Sequence, residues 1–267
     1  MRPVLTKAAL VFAIAATVLF AQKPPGPKSK GEAEAYNAVV TAMDPAARIK
    51  AAEAFVDKYS DSELKAAVLF IEAYSYQQQN DYEKMIVYGE RTLEADPKHY
   101  GAMLMMARAI AQRTREFDLD REEKLARVEK YAKTAMELLK DAPKPNPQVT
   151  DEQWAEGKRE YMAQAHQALG FAAAARKNFE GAISELKLAI EAVPDPVAMV
   201  RLAQIYDQAG KPDDALPLLD KVMAMENLHP TIRQFAQSER VRATQLKSAG
   251  AKPPSPPAPA EVQIQKK

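Results

Sequence analysis

There is no cysteine in these 267 residues. That excludes a disulfide framework, zinc–thiolate and iron–sulfur sites, a thiol nucleophile and a cysteine-linked lipid anchor. Glycine is scarce at 9 residues against 49 alanines, too little for a glycine-turned β-sandwich or a nucleotide-binding loop fold. No charge of one sign dominates, with 37 basic and 36 acidic side chains, but the balance is uneven along the chain. Setting aside the five cations of residues 1–30, and the three cations and one acid of residues 248–267, leaves 29 basic against 35 acidic. An acidic middle repels a phosphate backbone, so nucleic acid is not an expected partner. With 47% apolar residues the chain can bury a core.

The two ends read differently from the middle. Arg2 and Lys7 precede an apolar run over residues 8–21. A membrane-spanning helix needs roughly 20 apolar residues, so this run fits a secretory signal peptide over 1–21, cut before Gln22. The bulky Leu19 near the cut keeps an uncleaved inner-membrane anchor open, and with it membrane association. A Pro/Lys linker follows over 22–31. Residues 248–267 hold Pro253, Pro254, Pro256, Pro257 and Pro259 with few apolar groups, which predicts a disordered tail. An inert tail and a ligand for a proline-binding groove are both compatible with it. The expected location is periplasmic or otherwise extracytoplasmic.

Between the ends, apolar residues recur at three- and four-residue spacing, as in Leu69, Ala73 and Tyr76, or Leu186, Ala189, Ile190 and Val193. Ser60 with Glu63, Asn80 with Glu83 and Thr150 with Gln153 have capping-box spacing. Pro212 and Pro230 fit a first helical turn. About eleven helices and no strands are predicted.

The middle also repeats itself. Leu169-Gly170, Phe179, Ala182-Ile183, Ala189-Ile190 and Pro194 align with Leu202-Ala203, Pro212, Ala215-Leu216, Val222-Met223 and Asn227, 33 residues on. Ala73, Tyr76, Tyr82, Ile86, Leu93 and Asp96-Pro97 follow the same plan. This pattern resembles the tetratricopeptide repeat family, a helix–turn–helix unit of about 34 residues. The resemblance implies an all-α superhelix of antiparallel helix pairs over 32–247. Its units fall near 32–59, 66–99, 100–142, 163–195 and 196–227, with a closing helix over 230–247. Two departures stand out in the 66–99 unit: Met85 replaces a small residue and Gly89 a bulky one. The third unit carries extra residues at 114–123 before a second helix at 124–140. Pro143, Pro145 and Pro147 then interrupt the array, as a stiff turn within one solenoid or as a linker. In the closing helix, Ile232, Phe235 and Ala236 are expected to face inward. Phe55-Val56-Asp57-Lys58-Tyr59-Ser60-Asp61-Ser62 resembles the Phe-x-x-x-Tyr-Pro-x-Ser junction of envelope tetratricopeptide proteins, with Ser60 in place of the proline.

Signals for catalysis are nearly absent. His99, His166 and His229 are isolated, the first and last at predicted helix boundaries, and no zinc-protease, phosphate-loop or nucleophile-elbow motif occurs. The acids Asp118, Asp120, Glu122 and Glu123 lack the spacing of a calcium loop and read as a solvated loop and helix start. Met103, Met105, Met106, Met223 and Met225 read first as core filling, with an adaptable binding patch as the alternative. No enzyme, cofactor or metal is expected; a small-molecule site hidden in 114–123 is the remaining catalytic or receptor alternative.

In the tetratricopeptide family the first helix of each unit lines a concave groove that takes a peptide or a partner helix. The resemblance carries that role to Phe70, Tyr74, Gln77 and Gln78; to Leu104, Arg108 and Gln112; to Gln164, Gln167 and Phe171; and to Val200, Gln204, Asp207 and Gln208. Glutamine amides both donate and accept, which suits a peptide backbone, and aromatic anchors carry much interface energy. The implied function is a non-catalytic protein-binding adapter of the cell envelope, its protein or peptide partner unnamed and its oligomeric state open. A structural subunit of an envelope assembly, binding through its convex face or ends, is the alternative.

Overall fold

A computed structural model describes residues 25–145 and 148–250. The expected export segment and the proline-rich tail lie outside the described residues. Among those described there are eleven α-helices and no strand. They run α1 (Lys30–Thr41), α2 (Pro45–Lys58), α3 (Lys65–Gln78), α4 (Tyr82–Ala95), α5 (Tyr100–Arg113), α6 (Arg121–Lys140), α7 (Asp151–Ala175), α8 (Phe179–Ala192), α9 (Pro196–Gln208), α10 (Pro212–Met223) and α11 (Pro230–Ser248).

Helix starts are set by side chains that accept from otherwise unpaired backbone N–H groups. Ser29, Asp44, Asp81, Asn178 and Asp195 cap α1, α2, α4, α8 and α9. The Thr150–Gln153 box forms in full at the start of α7. The other two boxes do not. Asn80 adopts φ 60°, a left-handed turn residue, and its neighbour Asp81 does the capping. Ser60 lies upstream of α3, and Ser62 takes up the junction instead, accepting from Leu64 N and donating to Glu32 across to α1 at 2.5 Å.

One turn recurs between the two helices of a unit. Asn80, Lys177 and Gly210 all have positive φ. In each case the next N–H reaches back five residues: Asp81 to the Tyr76 carbonyl at 2.9 Å, Asn178 to Ala173 at 2.9 Å, and Lys211 to Tyr206 at 2.8 Å. This double-backed C-terminal turn satisfies orphan carbonyls and reverses the chain tightly. The α5–α6 connection lacks it, because residues 114–120 intervene, and α6 begins at Arg121, three residues before the expected start.

Packing is serial. Each helix packs on the next, and α5 also packs on α7 and α9 on α11. The core is correspondingly a row of patches. Val39, Phe55 and Val68 fill the first, and Met85, Met105 and Met106 the second. Leu104, Leu125, Leu139 and Trp154 follow, then Ile183, Leu186 and Ile205, then Met199, Leu219 and Val222. This neighbour-to-neighbour burial is the physical signature of a repeat solenoid. The methionines of α5 are core, with Met106 fully buried. Trp154 closes the α6–α7 junction, its indole N–H donating to the Ala142 carbonyl at 3.1 Å. Phe235 departs from expectation. It is 58% exposed, while Ala236 and Ala243 carry the buried face of α11.

Candidate partner-binding face

Positions 70, 74, 77 and 78 fall on one stripe of α3, since residues three and four apart share a helical face. Tyr74 is 46% exposed, Gln77 half-buried and Gln78 exposed. Phe70 is half-buried, its ring centroid 4.6 Å from that of His99. Gln78 is steadied by Arg48 of α2, whose Nη1 donates to its Oε1 at 3.0 Å. On α5, Gln112 is exposed and Arg108 half-buried, its Nε facing no acceptor. On α7, Gln164 is half-buried, and on α9, Gln208 is exposed.

Of the remaining expected contact residues, Leu104, Gln167, Val200 and Asp207 are buried, and Phe171 and Gln204 are half-buried and engaged by neighbouring side chains. Leu104 is fully buried among the α5–α7 core, and Val200 lies in the α9–α11 core. Phe171 is half-buried between two core patches. Gln167 is buried and donates to Asp195 at 3.3 Å. Gln204 donates to Glu239 of α11 at 2.8 Å. Asp207 has no exposed surface; burial raises its carboxyl to about pKa 6, with Arg242 opposing and Glu239 reinforcing the shift. The cause is the same throughout. A first helix is covered on one side by its own partner and on another by the next unit, and α11 covers what α9 offered. A narrower face remains, consisting of Phe70, Tyr74, Gln77, Gln78, Arg108, Gln112, Gln164 and Gln208.

The 114–123 connection carries a second exposed feature. Phe117 and Leu119 are 89% and 107% exposed, on a loop held by ion pairs. Lys124 binds Asp118 and Asp120, both at 2.9 Å. Arg176 binds Glu122 at 2.9 Å and also pairs with Glu129. Lys177 binds Glu116 at 2.7 Å. The cations beside Asp118, Glu116 and Glu122 hold these carboxyls below the usual range. Of the four acids expected to be solvated, Asp118, Asp120 and Glu122 are thus paired with cations. No three His, Asp or Glu side chains among the described residues gather to hold a metal ion. Behind the loop is a cleft of about 610 Å³, floored by Ile86, Ala109 and Ile110 and walled by Arg113, Arg115 and Lys124. Its sequence signal is two large apolar residues alternating with acids, outside any helical period.

The histidines are accounted for locally. His99 and His229 cap α5 and α11 through their Nδ1 atoms. His166 pairs with Glu185 at 2.7 Å, joining α7 to α8.

No protein-family model matches the chain, and no curated protein matches it in sequence. Among solved structures it is similar to TTC0263, a thermophilic TPR protein of Thermus thermophilus, at 19% identity and a TM-score of 0.51. That match covers 79% of this chain and 99% of the other. The assembly chaperone of RpL4, Acl4, matches at 14% identity and a TM-score of 0.46, over 83% of this chain and 99% of that one. A tetratricopeptide repeat protein from Parabacteroides merdae matches at 16% identity and a TM-score of 0.40, over 82% and 90%. The chain has the tetratricopeptide-repeat fold: serial helix pairs, a recurring left-handed turn, and a row of inter-unit cores.

Proposed function

We propose that this chain is a protein-binding adapter of the cell envelope, which takes a peptide or a partner helix on the concave face of its solenoid. The observation that carries the reading is Tyr74. It is a large aromatic left 46% exposed on a first helix, flanked by accessible amides that demand no charge from a ligand. Aromatic groups in such settings dominate interface energy. The envelope location rests on the pattern of residues 1–21. Among the described residues no helix is long and apolar enough to cross a membrane.

A photo-reactive side chain placed at Tyr74 in living cells tests the adapter reading. It should yield one predominant cross-linked protein in the envelope fraction, and the same probe at exposed Glu94 should not. Equal, diffuse labelling from both positions contradicts it. One observation favours a second reading, an assembly subunit that binds through another surface: Phe117 and Leu119 stand fully in solvent on a loop that ion pairs hold in place.

A further inference from the structure

A larger cleft lies away from the 114–123 loop. It measures about 1250 Å³ and is bounded by α3, the start of α5, the α6–α7 turn and α7. One wall is aromatic, and Lys28, Glu63, Asp96, Lys98 and Lys144 stand around it. Tyr100 and Tyr161 meet edge to face with centroids 5.2 Å apart, beside the Phe70–His99 stack. No hydrogen bond among the described residues engages either phenol. Burial pushes both phenols up, Tyr100 to about pKa 12, so they stay neutral donors. The aromatic wall thus offers ring surface together with two phenol donors.

Two proline-bearing stretches outside the helices already border this wall, Pro25-Gly26-Pro27 and Pro143-Lys144-Pro145. A polyproline II helix is the complementary ligand. Its rings pack on aromatic faces, and its carbonyls, which make no internal hydrogen bonds, need outside donors. The chain contains one such segment beyond the described residues: Pro253-Pro254-Ser255-Pro256-Pro257-Ala258-Pro259, five prolines in seven residues.

Where the described chain ends decides which copy can supply that segment. The cleft is built from α3, α5, α7 and the turns beside them, whereas α11 packs on α9 and α10. The cleft opens at the start of α5, whereas Gly250 follows the far end of α11. The 19 residues of α11 alone span about 28 Å at 1.5 Å per residue. Pro253 comes three residues after Gly250, a reach of only about 10 Å at full extension. Between α11 and the cleft-lining α7 stand α8 and α9, and each step from helix to helix adds about 8–10 Å, so the tether falls short of the chain's own cleft and the segment is left to a second copy.

We propose that the Tyr100–Tyr161 cleft is a polyproline-binding site and that residues 253–259 of a second copy of this chain occupy it. The segment then shields the edge of Phe70, so it competes with a partner at that end of the face.

The test places p-benzoylphenylalanine at Ser255 in the full chain, followed by irradiation, digestion and mass spectrometry. Cross-links should concentrate on residues 96–101, 143–145 and Tyr161, in products of twice the chain mass. Tyr161→Ala should lower their yield at least fivefold. Because Tyr161 is half-buried, a second variant keeps the test decisive: Pro256→Ala with Pro257→Ala leaves the helices untouched and should lower the yield to the same extent. Cross-links scattered over α8 to α11, products of single-chain mass alone, or a yield that the proline variant leaves unchanged each overturn the proposal.

Discussion

A Cβ added to Gly89 would lie 2.7 Å from the Sδ of Met106 and 2.9 Å from its Cγ. Gly89 on α4 is thus the seat of a methionine from the next unit, and Met85, one turn earlier, is itself fully buried. The two departures from the repeat pattern in this unit compensate each other, since volume removed at 89 is returned by Met85 and Met106. Gly170 plays the same part against Leu186, whose Cγ would stand 2.7 Å from an added Cβ, with the Ala182 carbonyl at 3.4 Å.

Replacing either glycine sets helix propensity against overpacking. Alanine gains about 1 kcal/mol of propensity over glycine, and overpacking costs about 1–3 kcal/mol. Met106 is flexible at the point of contact, whereas Leu186 branches there. Gly89→Ala should therefore change stability by under about 1 kcal/mol, and Gly170→Ala should destabilise by about 1–2 kcal/mol. Urea denaturation of the two variants checks the order; a larger loss at Gly89 would contradict it.

Glu72 should make stability depend on pH. It is 1% exposed on α3, one carboxylate oxygen has no partner, and burial raises its pKa from 4.5 to about 7 despite the Tyr88 hydroxyl that donates to it. Glu53 and Asp57 of α2 push it up further, while Arg91 of α4 opposes them. A carboxyl whose folded pKa is the higher one keeps its proton longer in the folded state. Its contribution is then complete below about pH 4.5 and lost as pH rises through 7. The loss amounts to up to roughly 3 kcal/mol. Glu72→Gln should raise the melting temperature at pH 8 and flatten its fall between pH 5 and 8. An identical pH profile in the variant would refute this account of Glu72.

Arg176 ties the 114–123 connection to α7. Its side chain, 28% exposed, meets both Glu122 and Glu129. Arg176→Ala should cost only about 1 kcal/mol globally, as exposed pairs do. It should nonetheless speed hydrogen exchange at residues 114–124 severalfold. Unchanged exchange there would mean that the remaining pairs of Lys124 and Lys177 suffice.

Trp154 is the only tryptophan, so its fluorescence reports one place in the molecule. Buried against the α5–α7 core with its indole N–H on the Ala142 carbonyl, it should emit to the blue of free tryptophan. Trp154→Phe loses chiefly the hydrogen bond, about 1 kcal/mol. Trp154→Ala should cost about 3–5 kcal/mol. Solvent-like emission from the native protein would contradict the close packing of α6 on α7.

The helices are legible in the sequence because periodicity, capping residues and the 33-residue repeat all report on contacts inside one unit. What lies between units is not. Leu104 and Val200 occupy register positions that face a groove in an isolated pair, yet a neighbouring unit covers each. Asp207 looks like a surface acid until α11 is laid across α9. Phe235 reads as core by type, but α11 meets α9 and α10 through Ala236 and Ala243, small residues that permit close approach. The cap at Asp81 is hidden by Asn80, which serves the turn and leaves capping to its neighbour.

The most direct measurement for the adapter reading is capture from solubilised cell envelope with three forms of the chain, each verified as folded by circular dichroism. These are the parent, a Tyr74→Ala, Gln112→Ala, Gln208→Ala variant, and a Phe117→Ser, Leu119→Ser variant. The account predicts one protein retained by the parent and the loop variant and reduced at least tenfold by the face variant. Retention by the face variant with loss in the loop variant would contradict it and place binding on the 114–123 connection.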